Sequence, residues 1–273
     1  MKILKIVTVT VFLLSVLVSV IGKYHASKLD KTAPVILSDS AEIHVNTDAD
    51  EKELKKGLTA TDNVDGDLTD SIVVASVSQF SQKGVCKIKY CVFDQSNNVG
   101  YYERTVYFDD YQSPKIRLTA PLVYIQNKEI VLSDRLFATD MLEGDISDKL
   151  RFSTAGASQY EIGVYELFVE ARNSYGDIVK ETLLLNVIPY ENNRGTIVLK
   201  EYLVYVSVGE EISPEEYLVE AVDNEGNAIP YESLIITKEV DTGKAGTGQF
   251  RFEMKDKNGN VAAITFLAVI VTE

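Results

Sequence analysis

Gly84-Val85-Cys86-Lys87-Ile88-Lys89-Tyr90 has a counterpart at Gly163-Val164-Tyr165-Glu166-Leu167-Phe168-Val169 and a third at Gly246-Thr247-Gly248-Gln249-Phe250-Arg251-Phe252. The copies lie roughly 80 residues apart, too far for a solenoid repeat and about right for a tandem β-sandwich module. Each copy opens a hairpin that aligns without a gap over 84–108, 163–187 and 246–270. Cys86, Ile88, Tyr90 and Val92 alternate with polar or exposed-type residues, as do Tyr165, Leu167, Val169 and Ala171, and Gly248, Phe250, Phe252 and Met254. That period of two predicts strands with one buried face. The turns between the strands place Asn97, Gly176 and Gly259 in one column, residue types that accept positive φ.

A second motif precedes each hairpin. Ala60-Thr61-Asp62-Asn63-Val64-Asp65-Gly66-Asp67-Leu68-Thr69-Asp70 reappears as Ala138-Thr139-Asp140-Met141-Leu142-Glu143-Gly144-Asp145-Ile146-Ser147-Asp148. The third version shrinks to Ala221-Val222-Asp223-Asn224-Glu225-Gly226. A short apolar strand opens every module, at Val35–Leu37, Ile116–Leu118 and Thr196–Leu199, the first two after Pro34 and Pro114. Beyond residue 23 no stretch has helical periodicity, and 50–56 and 213–217 have room for one turn each. The expected fold is therefore all-β: three tandem immunoglobulin-like sandwiches at 32–111, 112–192 and a divergent 193–273, with 1–31 as anchor and tether. With 45 % hydrophobic residues, each module has enough apolar side chains for a small core of its own.

The N-terminus supplies the address. Met1-Lys2-Ile3-Leu4-Lys5 is a basic head, and Ile6 to Gly22 carries no charge. The run is long for a signal-peptide core and at the lower limit for a membrane span, and an A-x-A cleavage box is missing. The expectation is a single-pass signal anchor with the C-terminal part extracellular, or a secreted protein if the segment is cleaved. Cys86 and Cys91 are too close along one strand to join, since five extended residues span about 17 Å and a disulfide needs Cα atoms within about 7 Å. Their odd spacing predicts Cys86 in the core and Cys91 as a solvent-facing thiol.

Thr32-Ala33-Pro34-Val35-Ile36, the loop Ala60–Thr69, Gly84-Val85 and Phe93-Asp94-Gln95-Ser96-Asn97-Asn98 together resemble a bacterial immunoglobulin-like domain. The type is the one described from pesticidal crystal proteins and common in surface proteins of Gram-positive bacteria. The resemblance covers the first two modules well and the third loosely, where Asn227-Ala228-Ile229-Pro230 replaces the Gly-Asp step of the loop. It implies a β-sandwich used as spacer or adhesive module, without catalytic residues.

The chemistry-bearing residues agree with that implication. His25 and His44 are too few and too far apart for a histidine-centred site, and no triad, HExxH or phosphate loop can be drawn. No catalytic, cofactor-binding or metal-ligating residue is assigned. Asp62, Asp65, Asp67, Asp70, Asp140 and Asp145 offer hard oxygens to calcium, with Gly66 permitting a tight turn. Their spacing departs from the EF-hand, and Asp side chains in such loops ordinarily bond their own backbone. Both roles fit the composition, and the backbone role is the one expected. Trp is absent, so any sugar stacking would fall to Tyr101, Tyr102, Tyr107 and Tyr111, whose expected role is cross-strand packing. Asp and Glu number 41 against 27 Lys and Arg, a net charge of −14 that argues against nucleic acid as partner. The function expected is a non-catalytic cell-surface spacer or adhesive module contacting an extracellular protein or glycan and held to the membrane by its N-terminal helix. The alternative is an accessory extracytoplasmic subunit of an envelope enzyme or transport machine.

Overall fold

The computed structural model describes residues 2–28, 30–192 and 194–273. Leu29 in the tether and Asn193 in the second joint therefore lie outside the described residues, as do Met1 and the His25 side chain. After a helix α1 (Lys2–Lys28), the chain is built of short strands in three successive sandwiches. The first module contains β1 (Val35–Ser38), β2 (Glu42–Val45), a one-turn α2 (Glu51–Leu54), β3 (Leu58–Asp62), β4 (Gly66–Asp67), β5 (Val73–Val77), β6 (Val85–Phe93) and β7 (Val99–Phe108). The second contains β8 (Lys115–Leu118), β9 (Val123–Ile125), β10 (Leu136–Asp140), β11 (Gly144–Asp145), β12 (Arg151–Thr154), β13 (Gly163–Arg172) and β14 (Ile178–Ile188). The third contains β15 (Thr196–Leu199), β16 (Leu203–Ser207), β17 (Leu218–Val222), β18 (Ile235–Glu239), β19 (Gly246–Lys255) and β20 (Val261–Thr272).

The same topology is written three times. One sheet is β1-β3-β4, β8-β10-β11 or β15-β17; the other is β2-β7-β6-β5, β9-β14-β13-β12 or β16-β20-β19-β18. In each four-stranded sheet the long hairpin pairs antiparallel, and its second strand also takes a parallel partner, β2, β9 or β16. The third module lacks the two-residue strand because its loop has lost the Gly-Asp step that forms β4 and β11.

The cores follow the alternation along the hairpins. Cys86, Ile88, Tyr90 and Val92 are buried, as are Leu167, Val169 and Ala171, and Phe250, Phe252 and Met254. Tyr165 is half-buried. Both cysteines are free, and Cys86 is in the core, its thiol pushed up to about 11 by burial. Cys91 departs from expectation, because it too is buried, at 6 % exposure. It lies between Val73 and Tyr101 on the flanking strands, and a small thiol sits below the level of such larger neighbours.

The chain divides into two compact units, Met1–Asp110 and Tyr111–Glu273. The second and third modules belong together because their cores run into one another. Leu203, Ala268 and Ile270 of the third are buried in the same cluster as Leu167, Leu183 and Leu185 of the second. Two polar clasps reinforce this seam. The amides of Asn186 and Gln249 exchange hydrogen bonds of 3.0 and 3.2 Å while buried. The Tyr205 hydroxyl donates to the Ile116 carbonyl at 3.1 Å and accepts its N–H at 3.3 Å.

Candidate functional site

At one end of every module the acidic loop meets the turn of the long hairpin. The hairpin turns are superimposable in their bonding. The N–H of Asp94 donates to Asn98 and that of Asn97 to Asp94; Asn173–Asp177 and Asp256–Asn260 repeat the pattern. Asn97, Gly176 and Gly259 have φ of 64°, 87° and 82°, the left-handed conformation the column of residue types predicts.

The loops hold themselves through their first aspartate. Asp62 Oδ1 accepts the N–H groups of Val64 and Asp65 at 2.8 and 2.9 Å, and Asp140 Oδ1 does the same for Leu142 and Glu143 at 2.9 and 3.1 Å. Asp223 Oδ1 takes the N–H groups of Glu225 and Asn227, both at 2.9 Å. Asp67 and Asp145 tie back the following Thr69 and Ser147. These bonds favour the ionised form. The N–H of Asp65, then that of Val64, holds Asp62 below its ordinary value, and the hydroxyl of Thr69 or Ser147 does so for Asp67 or Asp145. Thus Asp62, Asp67, Asp140 and Asp145 act as backbone anchors, while Asp65 clasps the loop to the hairpin by accepting the Gln95 N–H at 2.8 Å. Glu143 makes the equivalent clasp with Ser174 and Lys149; burial raises its carboxyl, but those partners hold it below the ordinary value overall. Asp70 is exposed on a single turn and joins no cluster.

What differs is the residue delivered by the segment entering the first strand. In the first module it is Asp30, held by a hydrogen bond of 3.0 Å from Asn98 Nδ2 to its carbonyl. The entering chain runs close under the hairpin, since a Cβ at Gly100 would lie 2.0 Å from the Pro34 carbonyl oxygen. Asp30, Asp62 and Asp94 each bring a carboxylate oxygen to within 4.8 Å of the other two. Asp94 is buried, and among the described residues none of the three makes an ion pair. Asp30 Oδ2 and Asp62 Oδ2 are occluded from solvent and accept no hydrogen bond.

In the second module the entering residue is Tyr111. Its hydroxyl lies 3.1 Å from Asp140 Oδ2 and 2.9 Å from Asp177 Oδ2, within reach to donate to either, and accepts from Asn173 Nδ2 at 2.8 Å. Burial, reinforced by Asp177 and Asp140, pushes this phenol up, so it stays a donor. In the third module Arg194 reaches Asp256 at 3.5 Å, and Lys257 pairs with Glu225 at 2.9 Å. In the second and third modules the entering residue is thus a side-chain donor, whereas in the first it is a further carboxylate, with Asn98 donating to Asp94.

Sequence reading found Asp62 but grouped it with its loop neighbours. Asp30 and Asp94 were missed because they lie about thirty residues to either side of it and meet only through the sandwich topology. Of the four tyrosines, Tyr102 is half-buried opposite Tyr90 on the neighbouring strand, and the other three have side-chain partners. Tyr107 stacks on His44 with ring centroids 4.5 Å apart, Lys89 Nζ sits 4.2 Å above Tyr101, and Tyr111 belongs to the pole of the second module. The more open neighbouring aromatic rings are Phe93 and Tyr101, which share one face of β6 and β7 and are exposed by 54 % and 55 %.

Fold and topology define a tandem β-sandwich protein of immunoglobulin type carrying one N-terminal apolar helix. No family model matches the chain. It is 26 % identical over 253 residues to the pesticidal crystal protein Cry22Aa of Bacillus thuringiensis, an alignment covering 89 % of this chain and 34 % of that protein. The chain thus spans about a third of that relative's length. Among solved structures it is similar to Drosophila N-cadherin EC1-3 at 10 % identity and TM-score 0.29, covering 72 % of this chain and 80 % of that one. It is similar also to the CBM51-2 and INT domains of Clostridium perfringens ZmpB, at 18 % identity and TM-score 0.23, covering 55 % and 27 %. Scores this low carry no inference about binding.

Proposed function

We propose that this chain is a non-catalytic spacer or adhesive protein, displayed outside the cell membrane on its N-terminal helix and contacting an extracellular protein or glycan. The observation that carries the reading is α1. From Ile6 to Lys23 it is predominantly apolar, with Lys23 as its one charge, and none of it is buried against the rest of the chain. Such a helix is unfavourable in water, and its eighteen residues reach about 27 Å, close to the thickness of a bilayer's hydrocarbon core. The absence of an A-x-A box supports retention of the helix as an anchor. Three sandwiches bounded near 32–111, 112–192 and 193–273 then form the exported part. Its acidity opposes nucleic acid as a partner. Phe93 and Tyr101, exposed on one face of β6 and β7, offer apolar contact area of the kind a protein surface can cover.

Protease treatment of intact cells, followed by membrane fractionation and N-terminal sequencing, tests the reading. All three modules should be degraded from outside while α1 stays with the membrane. A chain protected in intact cells and recovered in the soluble cytoplasm would end the proposal. A secreted form starting near Lys23 or Ser27 would remove the anchor and leave the export.

A further inference from the structure

The geometry points to a calcium site at the pole of the first module, ligated by the carboxylates of Asp30, Asp62 and Asp94. Three acids alone prove nothing, since exposed carboxylates cluster by chance on so acidic a chain. Here two further observations point to a ligand. Asp30 Oδ2 and Asp62 Oδ2 are occluded from solvent and accept no hydrogen bond, although the other oxygen of each is used: Asp30 Oδ1 takes the Thr32 N–H at 3.0 Å and Asp62 Oδ1 takes Val64 and Asp65. Each side chain is thus fixed by one oxygen, and the second is withdrawn from water without a partner, a costly state unless something supplies positive charge. The sister poles supply it, or a donor, from within. Tyr111 bridges Asp140 and Asp177, and Arg194 meets Asp256. The first pole has an aspartate where those donors enter.

The donor set selects the ion. All three ligands are hard carboxylate oxygens, with no His or Cys in the cluster, which disfavours zinc and copper. Asp94 is held by Asn98 through both its N–H and its side-chain amide, at 2.7 Å each, so the site is tethered at the hairpin. Three carboxylates from an entry segment, a loop and a turn make an irregular set. Calcium accepts irregular sets and completes its shell with water, whereas magnesium demands an octahedron.

Isothermal titration of CaCl₂ into the full chain in detergent, after removal of divalent ions by EGTA and dialysis, decides the matter. One calcium per chain should bind, with a Kd of about 10⁻⁴–10⁻³ M. Asp30→Asn keeps the acceptor for Thr32 and should weaken binding at least tenfold. Asp30→Arg supplies in place what Arg194 supplies in the third module, and should fold and bind no calcium. Asp67→Asn, in the same loop but outside the cluster, should bind within twofold of the native chain. Absence of saturable binding, binding lost in Asp67→Asn but kept in Asp30→Asn, or equal affinity for MgCl₂ would each overturn the assignment.

Discussion

The first and second modules share a loop, a hairpin turn and a clasp between them, yet their poles are finished in opposite ways. Asp30, Asp62 and Asp94 gather three carboxylates, whereas Tyr111 and Asn173 place donors between Asp140 and Asp177. The same contrast runs through the units to which they belong. Met1–Asp110 contains a single sandwich, while in Tyr111–Glu273 two sandwiches run into one core. Repetition fixes the frame, and the variation falls at the poles and the seam. The poles of the second unit are closed by side-chain donors of their own, and the site proposed for the first would be closed by an ion.

The seam should give the largest effect. Ile270 is 3 % exposed and lies in the core of the neighbouring module, so Ile270→Ala should cost about 2–4 kcal/mol. Denaturant melts of the full chain should show the loss in the transition of Tyr111–Glu273 only. An unchanged midpoint for that unit would mean that the two sandwiches stand apart. Gln249→Leu should come next. It leaves the buried Asn186 amide without its partner, at about 1–3 kcal/mol, and the same melts should detect it.

Tyr111→Phe sharpens the contrast between poles. Removing the hydroxyl leaves Asp140 and Asp177 facing one another with only the Asn173 amide, and should destabilise the second unit by about 1–2 kcal/mol. Stability of the first unit should not change. If Tyr111→Phe were neutral, the donor would not be what closes that pole.

The smallest effect is the response to acid. Asp62, Asp67, Asp145, Asp223 and Asp256 are all held below their ordinary value of 3.8 by loop hydrogen bonds. A carboxyl depressed in the folded state contributes stability that is present above its unfolded value and is lost as pH falls through the folded one. Melting midpoints in chelator should therefore be flat near neutrality and decline only as pH drops below about 4. A decline that begins near pH 6 would contradict this account, since none of these carboxyls titrates there.

Much of the frame was legible in the chain itself. The alternation from Cys86 to Val92 and the column of Asn97, Gly176 and Gly259 are local signals. They report burial and backbone conformation directly, and the structure follows them. Cys91 was misplaced because alternation describes a strand's two faces but not how tall the neighbours are. The shared core was invisible for a related reason: Ile270 reads as one more strand residue, and nothing in its sequence context says which sandwich it faces. The pole was half legible. Asp62 stood in a conspicuous motif, but Asp30 looked like tether and Asp94 like a turn residue. Only the packing of the entry segment under Gly100 brings them to one place.

Scanning calorimetry of the full chain in detergent, with millimolar CaCl₂ or with EGTA, tests the difference between the units most directly. A cation that binds one folded unit raises that unit's melting temperature by mass action and leaves the other where it was. Two transitions are expected. The one belonging to Met1–Asp110 should rise with calcium, and the one lowered by Ile270→Ala, belonging to Tyr111–Glu273, should stay fixed. Transitions that move together with calcium, or that both ignore it, would contradict the account.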